Sequence, residues 1–424
     1  MNRPLPAIAA LTIIGVVCAP RLAHAQSFKV GSFTKSLSGT CPAPCAQTVA
    51  HGLPPGVTPT AMIFWTNSRT TATPGLTATS SYVFGFGFTD GTSGGAGSIS
   101  TSSLDAASSP TAFRRMQGKA LTINTTGSAL ATAEADMQAT PWDSTNFYLN
   151  WTTNDANGFI IHFLAIGGPG VQAKFKSWPK PSGTGALGIA GIGFRPDLVL
   201  HMYAIGNNGL GSPGTDILGD FALGVMDAGG DQWVNSFTNN NTGAKANVQR
   251  GQQAGVAPAG ACIYAFNDAL TVNTSASFSS MDVDGFTVNF TTASFTAATI
   301  FSLALKGMNV QAASFPKTTL AAPASQSVTG VGFQPTAVLL SSFGDVAQGS
   351  PVVHTHVGVG EFRGIGRRVF AQERRAHVPQ HAAPDFALAV HLISAADHNR
   401  VSRNARVRGR RAEINVPERE RIDV

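Results

Sequence analysis

Apolar and polar residues alternate strictly from Phe147 to Thr153. Phe147, Leu149 and Trp151 fall on one face, and Tyr148, Asn150 and Thr152 on the other. A period of two places successive side chains on opposite faces of a strand. The next run, Phe159 to Ile166, is apolar on both faces, as in the central strand of a sandwich. Few stretches carry a helical apolar stripe. Most of the chain consists of short apolar or alternating runs divided by Gly, Ser, Thr, Asn and Pro, which predicts many short strands.

This strand pair returns 139 residues later without a gap. FYLNWTTNDANGFIIHFLAIGG (147–168) becomes FTVNFTTASFTAATIFSLALKG (286–307). The register holds through Val171-Gln172-Ala173 against Val310-Gln311-Ala312, and through Phe194-x-Pro196 against Phe333-x-Pro335. Identity at one fixed offset over this length marks an internal repeat. A buried strand introduced by proline occurs three times, after Pro59, Pro196 and Pro335, and proline suits a strand's first residue. Ser81–Phe88 (SYVFGFGF) matches Asp220–Met226 (DFALGVM), and glycines inside such strands predict close backbone approach or a bulge. The Gly/Ser-rich stretch from Thr92 to Pro110 reads as a loop.

The predicted organisation is repeat one over residues 26–170, repeat two over 171–309 and a truncated repeat three over 310–360. The fold expected is all-β: tandem antiparallel β-sandwiches, jelly-roll-like, two complete and one broken. From Glu361 the vocabulary changes. Residues 361–424 hold 13 Arg and no Lys, which is nearly all of the net charge of +6. Two readings stand for this tail: a basic arm, helical across Asp385–Ala396, or out-of-frame translation of a lost third copy, with no structure to assign. The body is nearly neutral, so it offers no electrostatic reason to bind nucleic acid.

Residues 1–25 read as a secretory leader: Arg3, an apolar run from Ala7 to Pro20 too short to span a bilayer, and an Ala23-His24-Ala25 cleavage site before Gln26. No later apolar run is long enough for a membrane helix, so a secreted or periplasmic product is expected. In that oxidising setting Cys41 and Cys45 are expected to close a local disulfide, leaving Cys262 as a buried thiol.

Catalytic motifs are sparse. His162 aligns with Phe301 and His201 with Leu340, while His51 precedes a turn, so all three read as structural. Gly91-Thr-Ser93-Gly-Gly95 and the GxGxxG at Gly183–Gly188 lack the strand-to-helix turns that would make them a nucleophile elbow or a phosphate loop. The acidic positions common to both repeats are Asp90 with Asp227 and Asp143 with Asp282. They adjoin turns, where Asp is favoured for local hydrogen bonds, and they are the candidate acidic or metal positions. Asp282-x-Asp284-Gly lacks the remaining ligands of a calcium loop. Trp178 and Trp233, in polar or Pro-flanked segments, are the candidate ligand-stacking rings. No cofactor or metal is called for.

The combination GxGFxPxxV (Gly191–Val199, Gly330–Val338), the glycine strand, and NWTT followed by FLAIGG resembles a domain of uncharacterised exported bacterial and phage-like proteins. The resemblance spans about 26–360 and implies no catalytic residues. The leading expectation is a secreted, non-enzymatic β-repeat protein that binds glycans or cell-surface components. The alternatives are a structural component of a phage-derived particle or appendage, and a hydrolase with an unrecognised carboxylate site.

Overall fold

The computed structural model describes residues 26–67, 70, 82–104, 112–128, 130–204, 220–240, 247–253, 260–266, 271–294, 298–316, 325–333, 335–345, 352–353, 358–363, 367–372, 386–391 and 422–423. The leader lies outside them. Among the described residues all regular structure is strand, and every pairing is antiparallel.

Unit 1 has ten strands: β1 (Ser27–Thr34), β2 (Cys45–Ala50), β3 (Pro59–Thr66), β4 (Tyr82–Thr89), β5 (Ala96–Ser103), β6 (Ala112–Gln117), β7 (Leu121–Asn124), β8 (Ala131–Trp142), β9 (Asn146–Thr153) and β10 (Ile160–Gly167). They form a large sheet ordered β1-β10-β3-β4-β5-β6 and a small sheet ordered β2-β9-β8-β7, neither closed into a barrel. Unit 2 repeats this with β11 (Gln172–Pro179), β12 (Gly185–Ala190), β13 (Leu198–Tyr203), β14 (Phe221–Asp227), β15 (Gln232–Asn240), β16 (Asn247–Gln253), β17 (Ile263–Phe266), β18 (Val272–Asp282), β19 (Gly285–Ala293) and β20 (Thr299–Lys306). Its sheets run β11-β20-β13-β14-β15-β16 and β12-β19-β18-β17, the same order shifted by ten strands.

The third unit comprises β21 (Gln311–Pro316), β22 (Ser327–Val328), β23 (Ala337–Asp345), β24 (Val352–Val353), β25 (Gly358–Arg363), β26 (Arg367–Gln372), β27 (Phe386–His391) and β28 (Ile422–Asp423). Its sheet runs β21-β27-β23-β25-β26, so β27 stands where β10 and β20 stand in the other units. The segment read from sequence as a divergent tail thus contributes strands, and Phe386–His391 is extended, not helical. β24 leaves its own unit and pairs with β16 of unit 2.

The stretch Ala96–Ser103 corrects the loop expectation: it is the fully buried strand β5. Its small residues are what the position requires. A Cβ on Gly97 would lie 2.7 Å from Phe175 and 2.8 Å from Phe301. Two of its serine hydroxyls are paired, Ser98 Oγ with Thr122 Oγ1 at 3.0 Å and Ser100 Oγ with the Phe84 carbonyl at 3.1 Å. Composition alone makes this segment read as a loop, because paired hydroxyls in a core cannot be told from solvated ones in sequence.

Each unit has a private core between its two sheets. In unit 1 it includes Phe64, Leu121, Phe147, Leu149 and Trp151, and in unit 2 Val199, Ile263, Phe286, Val288 and Phe290. A further core lies outside all of these. It joins Ile63, Phe84, Phe86 and Ile99 of unit 1 to Phe175, Leu200, Phe221 and Leu303 of unit 2, and to Ala337, Leu339 and Val359 of unit 3. The large sheets are therefore buried on both faces, which is why β3 and β4 are apolar at successive positions.

The contacts between units follow one order. β11 of unit 2 packs on β3, β4 and β5, β21 of unit 3 packs on β14 and β15, and β1 packs on β25. Each first strand thus meets the glycine strand of another unit, and the third contact returns to the start. At one end of this arrangement Gln26 donates its side-chain amide to the Gly307 carbonyl at 2.5 Å, and the Gly170 carbonyl lies 2.1 Å from where a Cβ on Gly307 would sit.

Candidate functional site

The polar residues singled out in the sequence gather at the junctions between units. Asp90 follows β4 and is buried. One carboxylate oxygen accepts from the Thr92 amide (2.9 Å) and hydroxyl (2.6 Å), the local turn bonds expected of Asp. The other accepts the Phe175 amide of β11 at 2.9 Å and lies 3.6 Å from Lys174 Nζ. Asp227 repeats this after β14. Its Oδ1 accepts the Gly229 and Asp231 amides, and its Oδ2 accepts the Ala312 amide of β21 at 2.8 Å. Burial pushes the Asp227 carboxyl above its ordinary value, with the Ala312 amide pulling the other way. Both carboxylates therefore clasp the first strand of the following unit. At the third junction the register position is Arg363, opposite Ala337 as Asp227 is opposite Leu198.

A second polar link crosses the first junction. Arg114 on β6 donates to Asp220 Oδ2 at 2.7 Å, and the Thr238 hydroxyl bonds the other oxygen. Both charges are nearly excluded from water. This pair was not legible in sequence, because Arg114 is unremarkable on its strand and Asp220 has an apolar counterpart, Val83, in repeat one.

Asp143 and Asp282 sit at the turns joining β8 to β9 and β18 to β19. Asp143 accepts the Tyr148 hydroxyl (2.5 Å) and the Thr145 and Asn146 amides, and the Tyr148 bond foremost holds its carboxyl below the usual range. Asp282 accepts the Ser280 and Thr287 hydroxyls at 2.6 and 2.7 Å. The four acids do not converge. Among the described residues no group of three or more His, Cys, Asp and Glu side chains comes together to hold a metal.

The two candidate tryptophans lie in strands, a correction to their expected loop positions. Trp178 is in β11, and Pro179 ends the strand without breaking it because β11 is a sheet edge with one free side. Its indole is buried in the private core of unit 2 and donates to Ser302 Oγ at 2.8 Å, so no ring face is open to a sugar. Trp233 is in β15, half-buried against the shared core, and its buried Nε1 has no partner.

Ser302 Oγ also meets His201 Nδ1 at 2.9 Å. A serine–histidine bond invites a catalytic reading, but no acid orients this one and the imidazole is fully buried. Burial lowers His201 to about 3, and His162, stacked on Trp65, to about 4. Both are neutral in the fold, whereas an unfolded histidine protonates near pH 6.5. The stability they allow is complete above that pH and is lost as pH falls toward 3 to 4. By pH 4.5 His201 alone is expected to remove about 2–3 kcal/mol. His201→Leu, the residue that repeat three carries there, is expected to flatten the decline in denaturation midpoint between pH 6.5 and 4.5. An unchanged slope contradicts this. His51 locks a turn: Nδ1 accepts the Leu53 amide and Nε2 faces the Asp143 carbonyl.

Two buried lysines complete the polar interior. Lys35, just after β1, reaches Asn154 Oδ1 at 2.5 Å and Asp155 Oδ1 at 2.9 Å. Lys180, just after β11, reaches only the carbonyls of Pro181 and Ser294, at 3.1 and 2.6 Å. In unit 2, Ala293 and Ser294 occupy the register positions of Asn154 and Asp155. Supplying the missing carboxylate with Ser294→Asp is expected to stabilise the protein by about 1 kcal/mol. The gain should vanish in a Lys180→Met background, as read by thermal denaturation. Cys41 and Cys45 form the expected disulfide, and Cys262 is a buried free thiol whose pKa is pushed well up by desolvation.

Fold and junctions together define a class, tandem antiparallel β-sandwiches docked through their large sheets. No protein-family model matches the chain, and no characterised protein matches it either. Among the described residues there is no helix long and apolar enough to cross a membrane.

Proposed function

We propose that the chain is an exported, non-enzymatic structural protein, a building block of a surface layer, particle or appendage, in which three sandwich units act as one rigid body. The observation that carries this reading is the shared core. Three sheets give up their outer faces to one another, and the buried carboxylates that a catalyst would need free are engaged as clasps between units. A rigid body of this kind suits assembly into larger order. Sedimentation and electron microscopy of the full chain across a concentration range are expected to reveal ordered multimers that grow with concentration. A chain that stays single at every concentration contradicts the proposal.

A second reading, contact with glycans or cell-surface components, is favoured by two apolar side chains held in water at hairpin tips. Val283, between β18 and β19, is 87% exposed, and Leu130, between β7 and β8, is 61% exposed. Binding to a glycan array or to cells that is lost in Val283→Ser would favour it over assembly.

A further inference from the structure

The geometry points to a covalent cross-link: an amide bond between Lys35 Nζ and Asn154 Cγ, formed within unit 1 with Asp155 as proton carrier and ammonia as leaving group. The inference does not depend on whether the chain assembles or binds a surface.

Four features meet at this point. The Lys35 side chain is fully excluded from water, with its Nζ 5.6 Å from the Trp151 ring and 5.8 Å from the Phe159 ring. Its Nζ is 2.5 Å from Asn154 Oδ1. A carbonyl carbon is about 1.2 Å from its oxygen, so Cγ is within about 3.7 Å of the nucleophile, close to attack distance. Asp155 Oδ1 lies 2.9 Å from the same Nζ, placed to take its proton. Finally, the Asp155 backbone amide donates to Asn154 Oδ1 at 3.1 Å, where negative charge would build as the carbonyl is attacked.

The supporting bonds fix both reactants. Asn154 Nδ2 donates to the Cys41 carbonyl at 2.8 Å, and Asp155 Oδ2 accepts from Thr132 Oγ1 at 3.1 Å and from the Asn157 side chain. Desolvation lowers the Lys35 pKa against the opposing pull of Asp155, which raises the share of neutral amine.

The step balances without an oxidant or a cofactor. Asp155 accepts a proton from the ammonium, and the free amine adds to Cγ. The same carboxyl returns that proton to Nδ2, the Cγ–Nδ2 bond breaks to release ammonia, the second Nζ proton passes to that ammonia, and the Nζ–Cγ bond remains. Ammonium and a secondary amide replace the lysine ammonium and the primary amide. The bond would join the segment after β1 to the segment after β9, closing nearly all of unit 1. Unit 2 provides the contrast, since its buried Lys180 faces Ala293 and Ser294, which offer neither amide nor acid.

Tryptic mapping of the denatured, purified full chain tests this. The expected product is a branched peptide joining Val30–Arg69 to Ala120–Lys174, uncut at Lys35 and lighter by one ammonia. An N-terminal Gln26 freed from a leader also loses ammonia, so the peptide map and not the intact mass decides. Val30–Lys35 released as a free peptide from aged wild-type protein overturns the proposal. Asp155→Asn, verified as folded by circular dichroism, is expected to leave Lys35 cleavable or to slow bond formation at least tenfold. Unimpaired cross-linking in that variant would overturn the role given to Asp155.

Discussion

Gly224→Ala is expected to abolish most folded protein. Gly224 lies in the middle of β14, and a Cβ there would sit 1.8 Å from the carbonyl oxygen of Cys262, which immediately precedes β17 of the small sheet. That obstacle is backbone, with no flexible side chain to move aside, so the two sheets of unit 2 must separate. Overpacking of this kind costs about 3 kcal/mol or more, a large part of the stability of a typical domain. The equivalent position in unit 1 is Gly87, where the Ala120 carbonyl would be 2.2 Å away. Gly87→Ala should fail in the same way, and soluble yield with thermal midpoint is the check. A near-normal midpoint in both variants would mean that the sheets are further apart than described.

The second large effect is expected from Phe221→Ala. Phe221 is fully buried and belongs to the shared core, with its ring 5.2 Å from Phe84 and 5.9 Å from Phe86 of unit 1. Removing a buried phenylalanine costs about 3–5 kcal/mol through lost transfer energy and the cavity left behind. Here the cavity opens between units. Phe290→Ala, which empties part of the private core of unit 2, should cost a similar amount but act within that unit alone. Comparing the two variants separates docking from folding.

The local structure was largely legible in the sequence, and for physical reasons. Alternation over Phe147–Thr153 identifies β9 because one face of a small sheet remains wet. The glycines of β4 and β14 announce close approach because only glycine leaves room for a carbonyl at such distances. The disulfide is expected from the CPAPC spacing, which brings two cysteines together within one turn. What the sequence concealed was the level above. Strands such as MIFW in β3 and VFGF in β4 are apolar on both faces, which says that layers lie on both sides but not which layers. Asp90 shows its turn bonds through Thr92, whereas its partner at Phe175 is 85 residues away and leaves no local trace. Trp178 reads as a loop residue in the sequence because flanking Lys and Pro resemble a loop, and an edge strand tolerates both. Lys35 does not stand out in the sequence, because a lone lysine at the end of a strand reads as solvated and its partners Asn154 and Asp155 read as a turn.

The central claim is that the large sheets share one core and hold one another folded. Hydrogen exchange, followed by mass spectrometry on wild type and Phe221→Ala, tests it most directly. The account predicts that protection falls in β14 and also in β4 and β5 of unit 1, which Phe221 reaches only across the junction. Loss confined to unit 2, with β4 and β5 exchanging as in the wild type, would contradict it and leave the three units as independent sandwiches on one chain.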